Sequence, residues 1–227
     1  MVSNGLAKSR EQANSLLMSG NVFINEKRVE KAGQQVKTDS KIEIKGKTYP
    51  WVSRGGVKLE KAILEFKLNC DLIIALDIGA STGGFTDVLL ARGAKKIYAV
   101  DVGYGQLDWR LRQNERVIVK EKTNARFLTD QIIKDPLDAI VCDASFISLK
   151  KVLPSGLSLL KTKGWLAALI KPQFEVGKGL VGKGGVVRDP ELHQEVVADI
   201  KNWLQHDMNM YLSGVVESPI LGPSGNK

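Results

Sequence analysis

Apolar runs of strand length alternate with helical patterns along most of the chain. From Leu72 onward, the strand-like runs lie at residues 72–77, 96–101, 137–143, 164–171 and 210–216. Helical patterns lie around residues 83–92, 105–113, 150–161 and 189–206. Such alternation is typical of a parallel sheet with helices on both faces. The pattern therefore predicts an α/β domain.

A different pattern precedes this alternation. A capping box opens at Ser9, and apolar residues recur behind it at helical spacing until Gly20. Short apolar runs at 22–24 and 42–44 then indicate strands. We therefore expect a small α+β domain followed by a linker and the α/β domain, with boundaries at residues 1–46, 47–53 and 54–227.

Positive charge is concentrated at the front of the chain. The 227 residues carry a net charge of +8, and the part through Lys61 holds twelve Lys or Arg against six acidic residues. A basic module of this kind suits a nucleic-acid partner. A merely solvated basic face is the alternative interpretation.

The sequence indicates neither a membrane span nor a metal site. No apolar run approaches the roughly 20 residues of a transmembrane helix, and the N-terminus has no apolar signal core. Cys70 and Cys142 lack metal-ligand spacing, so we interpret them as reduced thiols. These features predict a cytoplasmic protein with no membrane partner and no bound metal, and they leave the oligomeric state open.

The most informative segment is a glycine-rich turn between the run at 72–77 and the helix after it. Glycine lets a ligand lie against bare backbone, and an acid that ends the next strand can accept hydrogen bonds from a ribose diol. The spacing is G-x-x-x-G-G rather than G-x-G-x-x-G, and an acid lies two residues before the first glycine. This favours S-adenosylmethionine, which carries an ammonium group, over NAD; a turn that only permits tight packing is the third interpretation. The candidate cofactor residues are Asp77, Gly79, Ser81, Thr82, Gly83, Gly84 and Asp101.

Charged residues also fall near element ends outside this turn. Asp143 ends one apolar run, Lys171 ends another, and Lys58 begins the helix that precedes Leu72. Ligands of open parallel sheets bind beyond the carboxyl ends of the strands, so these groups are candidates for substrate chemistry. Burying a lysine is costly unless it is paired, so a purely structural Lys171–Asp143 salt bridge is the alternative.

Four motifs occur in order along the α/β part: RGGVKL at 54–59, the glycine turn at 77–85, CDASFISL at 142–149 and KPQFE at 171–175. Together they resemble the FtsJ-type ribose 2′-O-methyltransferases. The front run SREQANSLLMSGNVFINEKRVEKAGQQV resembles the S4 RNA-binding domain. With the further segments VGYGQL and GLVGKGGVVRDP, nearly the whole chain resembles the TlyA family of haemolysin-like ribosomal-RNA methyltransferases.

The resemblance implies a Rossmann-like domain that uses S-adenosylmethionine and acts on ribosomal RNA or ribosomal subunits. The family uses a Lys-Asp-Lys-Glu tetrad, and motif matching assigns its first three positions to Lys58, Asp143 and Lys171. We expect Lys171 to take the hydroxyl proton, Lys58 to hold the acceptor, and Asp143 to orient the lysines and the cofactor. RNA contacts are expected from Lys8, Arg10, Lys27, Arg28 and Arg54. Asn124 is either an adenine contact or a plain turn residue.

The chain departs from the family pattern at both ends. The S4-like part begins partway into the usual domain, and the family's glutamate and last strand would follow Lys227. We therefore expect a partial S4-like domain and a sheet without its last strand, and the fourth tetrad position is not assigned. An RNA-binding protein with an inactive methyltransferase fold is one alternative. A membrane-active haemolysin is another, which the lack of signal and membrane patterns opposes.

Overall fold

Two units follow one another along the chain, Met1–Arg54 and Gly55–Lys227. The computed structural model describes residues 1–7, 9–18, 21–29, 33–37, 40–45, 49–222, 225 and 226, without the side chains of Glu11, Ser15, Met18, Arg28 and Lys178. The linker expected over 47–53 ends one residue before the division between the two units.

The first unit begins with a helix that the capping pattern predicts. Helix α1 (Arg10–Met18) follows Ser9, whose Oγ accepts the backbone N–H of Gln12 at 3.1 Å. Ala13 on this helix is buried, as its helical spacing leads one to expect. The start of α1 is therefore set by a local hydrogen bond and its orientation by its apolar face.

A small antiparallel sheet completes the described part of this unit. Strand β1 (Val22–Ile24) pairs with β2 (Lys27–Arg28) and with β3 (Ile42–Ile44), which gives the order β2-β1-β3. Asn25 and Glu26 adopt positive φ angles of 47° and 68° in the two-residue turn between β1 and β2, as tight hairpins require. The helix and short strands expected here are confirmed.

The second unit opens with α2 (Gly55–Phe66) and is built on a five-stranded parallel sheet. Its strands are β4 (Ile74–Ile78), β5 (Lys96–Val100), β6 (Val117–Lys120), β7 (Leu137–Cys142) and β8 (Leu160–Ala168). Their order is β6-β5-β4-β7-β8, and every pair is parallel. The order reverses between β4 and β7, so the crevice that binds ligands in such sheets lies at the carboxyl ends of these two strands.

Helices connect the strands and cover the sheet. They are α3 (Gly84–Ala91), α4 (Trp109–Arg112), α5 (Leu149–Val152), α6 (Pro154–Leu157), α7 (Pro172–Glu175) and α8 (Pro190–Asn202). Single turns of 3-10 helix lie at Ala125–Phe127 and Lys178–Leu180, and a π-helical turn, Trp203–Asp207, continues α8. Asp189 begins α8 by accepting the N–H of Glu191 at 2.9 Å, with Pro190 in the first turn.

Large apolar side chains fix the register of the central strands. Leu76, Ile78 and Ile140 are at most 1% exposed, and burial of each such side chain stabilises the fold by about 1.5–3 kcal/mol. A slip of one residue would move them to the opposite face of the sheet, which is also buried and carries smaller residues such as Ala75 and Ala139, so the carboxyl ends of β4 and β7 stay aligned. Cys142 shares this core as a free thiol, and burial raises its pKa to about 12, which makes it unreactive.

Several elements differ from the sequence expectations. The helix expected around residues 105–113 is limited to α4, which begins where Asp108 accepts the backbone N–H of Arg110. Strand β6 lies outside the predicted runs because it is short and only Val117 is buried. The helix expected over 150–161 is divided into α5 and α6, because Pro154 cannot continue a helix and instead begins a new one. The strand expected over 210–216 is wrong: this described stretch is not paired with any strand, so its apolar residues have no ladder to join.

Candidate active site

The glycine turn links the ends of three neighbouring strands. The backbone N–H groups of Gly79 and Ala80 donate to the Val100 carbonyl oxygen at 2.9 and 3.1 Å. On the other side, the N–H of Asp143 donates to the Ile78 carbonyl oxygen at 3.1 Å. A Cβ built on Gly79 would lie 2.9 Å from the Cα of Ala144, so only glycine allows this approach. The predicted cofactor turn and the loop of Asp143 are therefore in direct contact.

Replacing Gly79 by alanine is expected to destabilise the protein by about 1–3 kcal/mol. The new Cβ would meet backbone at 2.9 Å, and φ at this position is +78°. Equilibrium unfolding in urea measures the loss. Gly177→Ala is the matched control, because Gly177 has a negative φ and no atom within 4 Å of a built Cβ. Equal urea midpoints for the two variants would contradict the expectation.

Asp77 lies beneath the turn rather than on its surface. Its side chain is fully buried, and Oδ2 accepts the hydroxyl of Thr86 at 2.7 Å. Burial raises the pKa of Asp77 to about 7, and the hydrogen bond from Thr86 opposes that rise. Oδ1 has no hydrogen-bond partner among the described residues. The carboxyl group ties β4 to the first turn of α3 and leaves one buried oxygen unpaired.

Asp101 closes the turn from the other side. Its Oδ2 accepts the backbone N–H of Ser81 at 2.8 Å, and its Oδ1 accepts that of Gly103 at 2.7 Å. A carboxylate has about four acceptor sites, so capacity for a ribose diol remains. Ser81 and Thr82 are exposed, whereas Gly83 and Gly84 are buried at the start of α3. Gly83 has a φ of +95°, which favours glycine at this position.

Glu121, which the sequence analysis missed, holds the loop that follows Asp101 through its carboxylate. The Glu121 side chain accepts the Arg112 guanidinium at 2.5 Å and the N–H of Gln106 at 3.3 Å. The hydrogen bond from Arg112 lowers the pKa of Glu121, so this carboxylate stays ionised. Lys122 lies 4.6 Å above the centroid of the exposed Tyr104 ring on the same edge.

Asn124 serves as a turn residue in this structure. Its side-chain oxygen accepts the backbone N–H of Arg126 at 3.1 Å and so begins the 3-10 turn at Ala125–Phe127. The side chain is exposed, and it follows β6 on the carboxyl side of the sheet. Of the two roles considered for it, capping a turn is the one for which the structure shows a contact.

Asp143 lies between two lysines at the switch point of the sheet. Its Oδ2 is 3.0 Å from Lys58 Nζ, and its Oδ1 is 2.7 Å from Lys171 Nζ. Lys58 comes from α2, Asp143 follows β7, and Lys171 follows β8. The three side chains are 17%, 20% and 17% exposed, so they form a partly desolvated group with one negative and two positive charges. The Lys171–Asp143 salt bridge that the sequence analysis gave as the structural alternative is present, and the fold brings Lys58 to the same carboxylate.

Lys171 has three acceptors around its ammonium group. Besides Asp143 Oδ1, its Nζ donates to the Asp143 carbonyl oxygen at 3.0 Å and to Ser145 Oγ at 2.8 Å. The contact with Oδ1 is an ion pair, since Oδ1 has no hydrogen-bond partner among the described residues, and the other two contacts are hydrogen bonds. Together the three contacts hold the Lys171 side chain in one orientation. Ser145, which was not among the predicted site residues, is therefore a direct neighbour of Lys171.

Phe146 lies beside this group and was also missed. Its side chain is 91% exposed, and its φ of +65° lies in the left-handed region, where aromatic residues are rare. Its ring centroid is 5.1 Å from that of Phe174, and Lys171 Nζ is 6.0 Å from the Phe174 centroid. The only sequence signal was an aromatic residue three positions after Asp143. This exposed ring in a left-handed backbone conformation, next to the charged group, makes Phe146 a candidate functional residue.

The basic residues expected to bind RNA have different outcomes. Arg10 on α1 and Lys27 on β2 are exposed, and Arg54 is half-buried at the end of the first unit. Arg28 lies on β2, but its side chain is not described, and Lys8 lies outside the described residues. Their contact with RNA stays a prediction.

The described residues form no cluster of three or more His, Cys, Asp or Glu side chains that could hold a metal ion. None of the helices in the described part of the chain has both the length and the apolarity that crossing a bilayer requires.

The sheet, with a glycine turn after β4 and an acid after β5, and the family match given next place the chain in the class of Rossmann-like, S-adenosylmethionine-dependent methyltransferases. The family model for FtsJ-like methyltransferases matches residues 51–227, and that for the S4 domain matches residues 1–42. More particularly, the chain belongs to the TlyA family. It is 45% identical, over 100% of its own length and 84% of the relative, to the 16S/23S rRNA (cytidine-2′-O)-methyltransferase TlyA of Mycobacterium tuberculosis (strain ATCC 25618 / H37Rv).

Two further relatives carry haemolysin names. Hemolysin A of Brachyspira hyodysenteriae is 40% identical over 99% of this chain and 93% of the relative. A solved structure of a protein from Streptococcus thermophilus, described as a candidate hemolysin, has a TM-score of 0.79 and 41% identity, covering 97% of this chain and 81% of that one. The family resemblance expected from the motifs is confirmed.

Proposed function

We propose that the chain transfers a methyl group from S-adenosylmethionine to ribose 2′-hydroxyls of ribosomal RNA. The observation that carries the proposal is the Lys58–Asp143–Lys171 group, which lies next to the glycine turn at the switch point. The name of the Mycobacterium tuberculosis relative, a methyltransferase of cytidine 2′-oxygens in 16S and 23S rRNA, supports the same reaction. We expect a cytoplasmic location because ribosomal RNA is the substrate.

The residues of the glycine turn suit S-adenosylmethionine. This cofactor supplies a methyl group on a sulfonium centre. Asp101 has acceptor capacity left for a ribose diol, and the buried unpaired oxygen of Asp77 suits a nearby ammonium group. Gly79, Ser81, Thr82, Gly83 and Gly84 would form the wall of the site, and Asn124 remains a candidate for the adenine side.

The charged group suits the chemistry of a ribose hydroxyl. A 2′-hydroxyl is a poor nucleophile at neutral pH, so its proton must be taken as the oxygen attacks. We assign this step to Lys171 Nζ, which in its neutral form would accept the proton of the 2′-hydroxyl as the oxygen attacks. Asp143 orients both lysines, and Lys58 holds the acceptor ribose or its phosphate. Precise alignment by these side chains supplies much of the remaining rate enhancement.

The first unit and Phe146 suit an RNA substrate. S4-type units contact RNA, and the exposed Arg10 and Lys27 offer cations for phosphates. Proteins hold unstacked RNA bases on exposed aromatic rings. Phe146, exposed beside Lys171, is placed to stack on a base whose ribose lies at the charged group.

Methyl transfer from tritium-labelled S-adenosylmethionine to purified small and large ribosomal subunits tests the proposed function. The expected result is label in ribosomal RNA at a nucleotide whose 3′ phosphodiester bond resists alkaline hydrolysis, because a 2′-O-methyl group blocks that cleavage. Each subunit is assayed separately, and calorimetry measures cofactor binding in parallel.

Two results would contradict the proposal in different ways. Cofactor binding without methyl transfer to either subunit would indicate an RNA-binding protein with an inactive fold. Label released by alkali, or label on a base, would show that the acceptor is not a 2′-hydroxyl.

A further inference from the structure

Glu175 connects the two loops that carry the charged group. It ends α7, four residues after Lys171, and its Oε1 accepts the backbone N–H of Leu149 at 2.8 Å. Leu149 begins α5, six residues after Asp143. This hydrogen bond therefore joins the segment that follows β7 to the segment that follows β8, in addition to the two that Lys171 donates.

We propose that Glu175 is a positioning residue for methyl transfer, and that it acts as a hydrogen-bond acceptor rather than through its charge. The inference rests on the proposed function for the reaction but on the structure for the contact. Among the described side chains, Glu175 forms no ion pair with Lys58 or Lys171. Its carboxylate is directed at a backbone amide, so it does not take the role of the unassigned fourth tetrad member.

The hydrogen bond lies where it can hold Ser145 and Phe146. Ser148 begins α5 by accepting the N–H of Lys150 at 3.2 Å, and Glu175 accepts the N–H of Leu149 beside it. Both bonds fix the end of the segment that begins at Asp143. Without the second bond, the N–H of Leu149, whose side chain is 3% exposed, would lose its acceptor.

Strain in this segment makes such a bond necessary. Phe146 has a φ of +65°, and a bulky residue keeps this conformation only when its surroundings impose it. The Phe146–Phe174 contact and the Leu149–Glu175 hydrogen bond both run from this segment to α7. Loss of the hydrogen bond is expected to let the segment relax, which would move Ser145 away from Lys171 Nζ.

Substitutions that separate the acceptor from the charge test the proposal on the full chain. Glu175→Gln keeps an oxygen acceptor without the charge, whereas Glu175→Ala and the bulkier Glu175→Leu keep neither. Glu195→Ala, at an exposed position of α8, is the control. The measurements are amide hydrogen exchange at Leu149, cofactor affinity, and kcat and KM on ribosomal subunits.

Glu175→Ala and Glu175→Leu are expected to speed amide exchange at Leu149 and to lower kcat about 10²-fold, the loss that a misplacement of about 1 Å can cause. Cofactor affinity should stay close to that of the unaltered chain, because Glu175 does not touch the glycine turn. Glu175→Gln is expected to retain slow exchange and kcat. If Glu175→Ala does not fold, the comparison of Glu175→Leu with Glu175→Gln still shows whether the hydrogen-bond acceptor or the charge is required.

Two outcomes would overturn the inference. Loss of kcat in Glu175→Gln with Leu149 still protected would show that the charge takes part in the reaction. Unchanged exchange at Leu149 in Glu175→Leu would show that the hydrogen bond does not hold the segment. If the unaltered chain transfers no methyl group, the proposed function fails, while the exchange rates at Leu149 still decide whether Glu175 positions it.

Discussion

Lys171→Ala is expected to lower kcat for methyl transfer by about 10²–10⁴, the range typical of general base catalysis. Lys171 Nζ is 2.7 Å from Asp143 Oδ1 and is held by two further acceptors, so its removal takes away the group that we assign to the proton. Cofactor affinity is expected to change little, because the contacts of the glycine turn do not involve this side chain. Single-turnover kinetics with ribosomal subunits and calorimetry with S-adenosylmethionine measure the two quantities.

Lys161→Ala is the matched control for this experiment. Lys161 lies near the amino end of β8, whereas Lys171 follows the carboxyl end of the same strand. Its Nζ is 2.6 Å from Asp138 Oδ1, so it too forms an ion pair with an aspartate. Its replacement should leave kcat close to that of the unaltered chain. Normal turnover in Lys171→Ala would exclude the catalytic assignment, and an equal loss in both variants would indicate general damage to the sheet.

Asp77→Asn is expected to stabilise the cofactor-free protein increasingly as the pH rises from about 4 to 8. Burial raises the pKa of Asp77 from an ordinary value of 3.8 to about 7 in the folded chain. Between these two values the folded state binds more protons than the unfolded state, so the free energy of unfolding falls with rising pH. A shift of about 3 units corresponds to at most about 4 kcal/mol.

An asparagine cannot ionise, so the variant lacks this loss, while its side-chain oxygen can still accept the Thr86 hydroxyl. Urea unfolding of both proteins at pH 4.5, 6, 7 and 8 measures the difference in stability at each pH. Asp130→Asn, at an exposed position, is the control and should show a difference that does not change with pH. A constant difference for Asp77→Asn as well would show that Asp77 is ionised at little cost in the folded state.

The positions of the candidate site residues were largely predictable because they lie at ends of elements. Asp77, Asp101, Asp143 and Lys171 each end or follow an apolar run, and parallel strands bring such ends to one edge of a sheet. Apolar periodicity also located β4, β5, β7 and α8. The site positions and the elements could both be predicted because burial and backbone geometry require a local pattern of apolar and polar residues.

The wrong and missed predictions have two causes, a weak local signal and a dependence on other segments of the chain. Strand β6 has a single buried residue, so its apolar signal is weak, and the run at 210–216 has strand-like residues but no neighbouring strand. A strand is stable only when its backbone groups are paired, and pairing is not a property of the segment itself. The role of Glu121 was missed because it also depends on other segments. Its partners Arg112 and Gln106 come from the loop and helix that follow β5, and only the folded chain brings them to Glu121.

The sequence was therefore enough for the class of fold, the glycine turn and the family, since each depends on short motifs and on their order along the chain. The sequence offered the Lys171–Asp143 pair as one alternative, and the tertiary structure decided which charged and polar groups are in contact. Lys58 and Asp143 are 85 residues apart, Lys171 and Asp143 are 28 apart, and Glu175 and Leu149 are 26 apart. The last two contacts exist because β7 and β8 lie side by side in the sheet, and the first exists because α2 packs where Lys58 reaches the end of β7. Both arrangements follow from the packing of the whole unit.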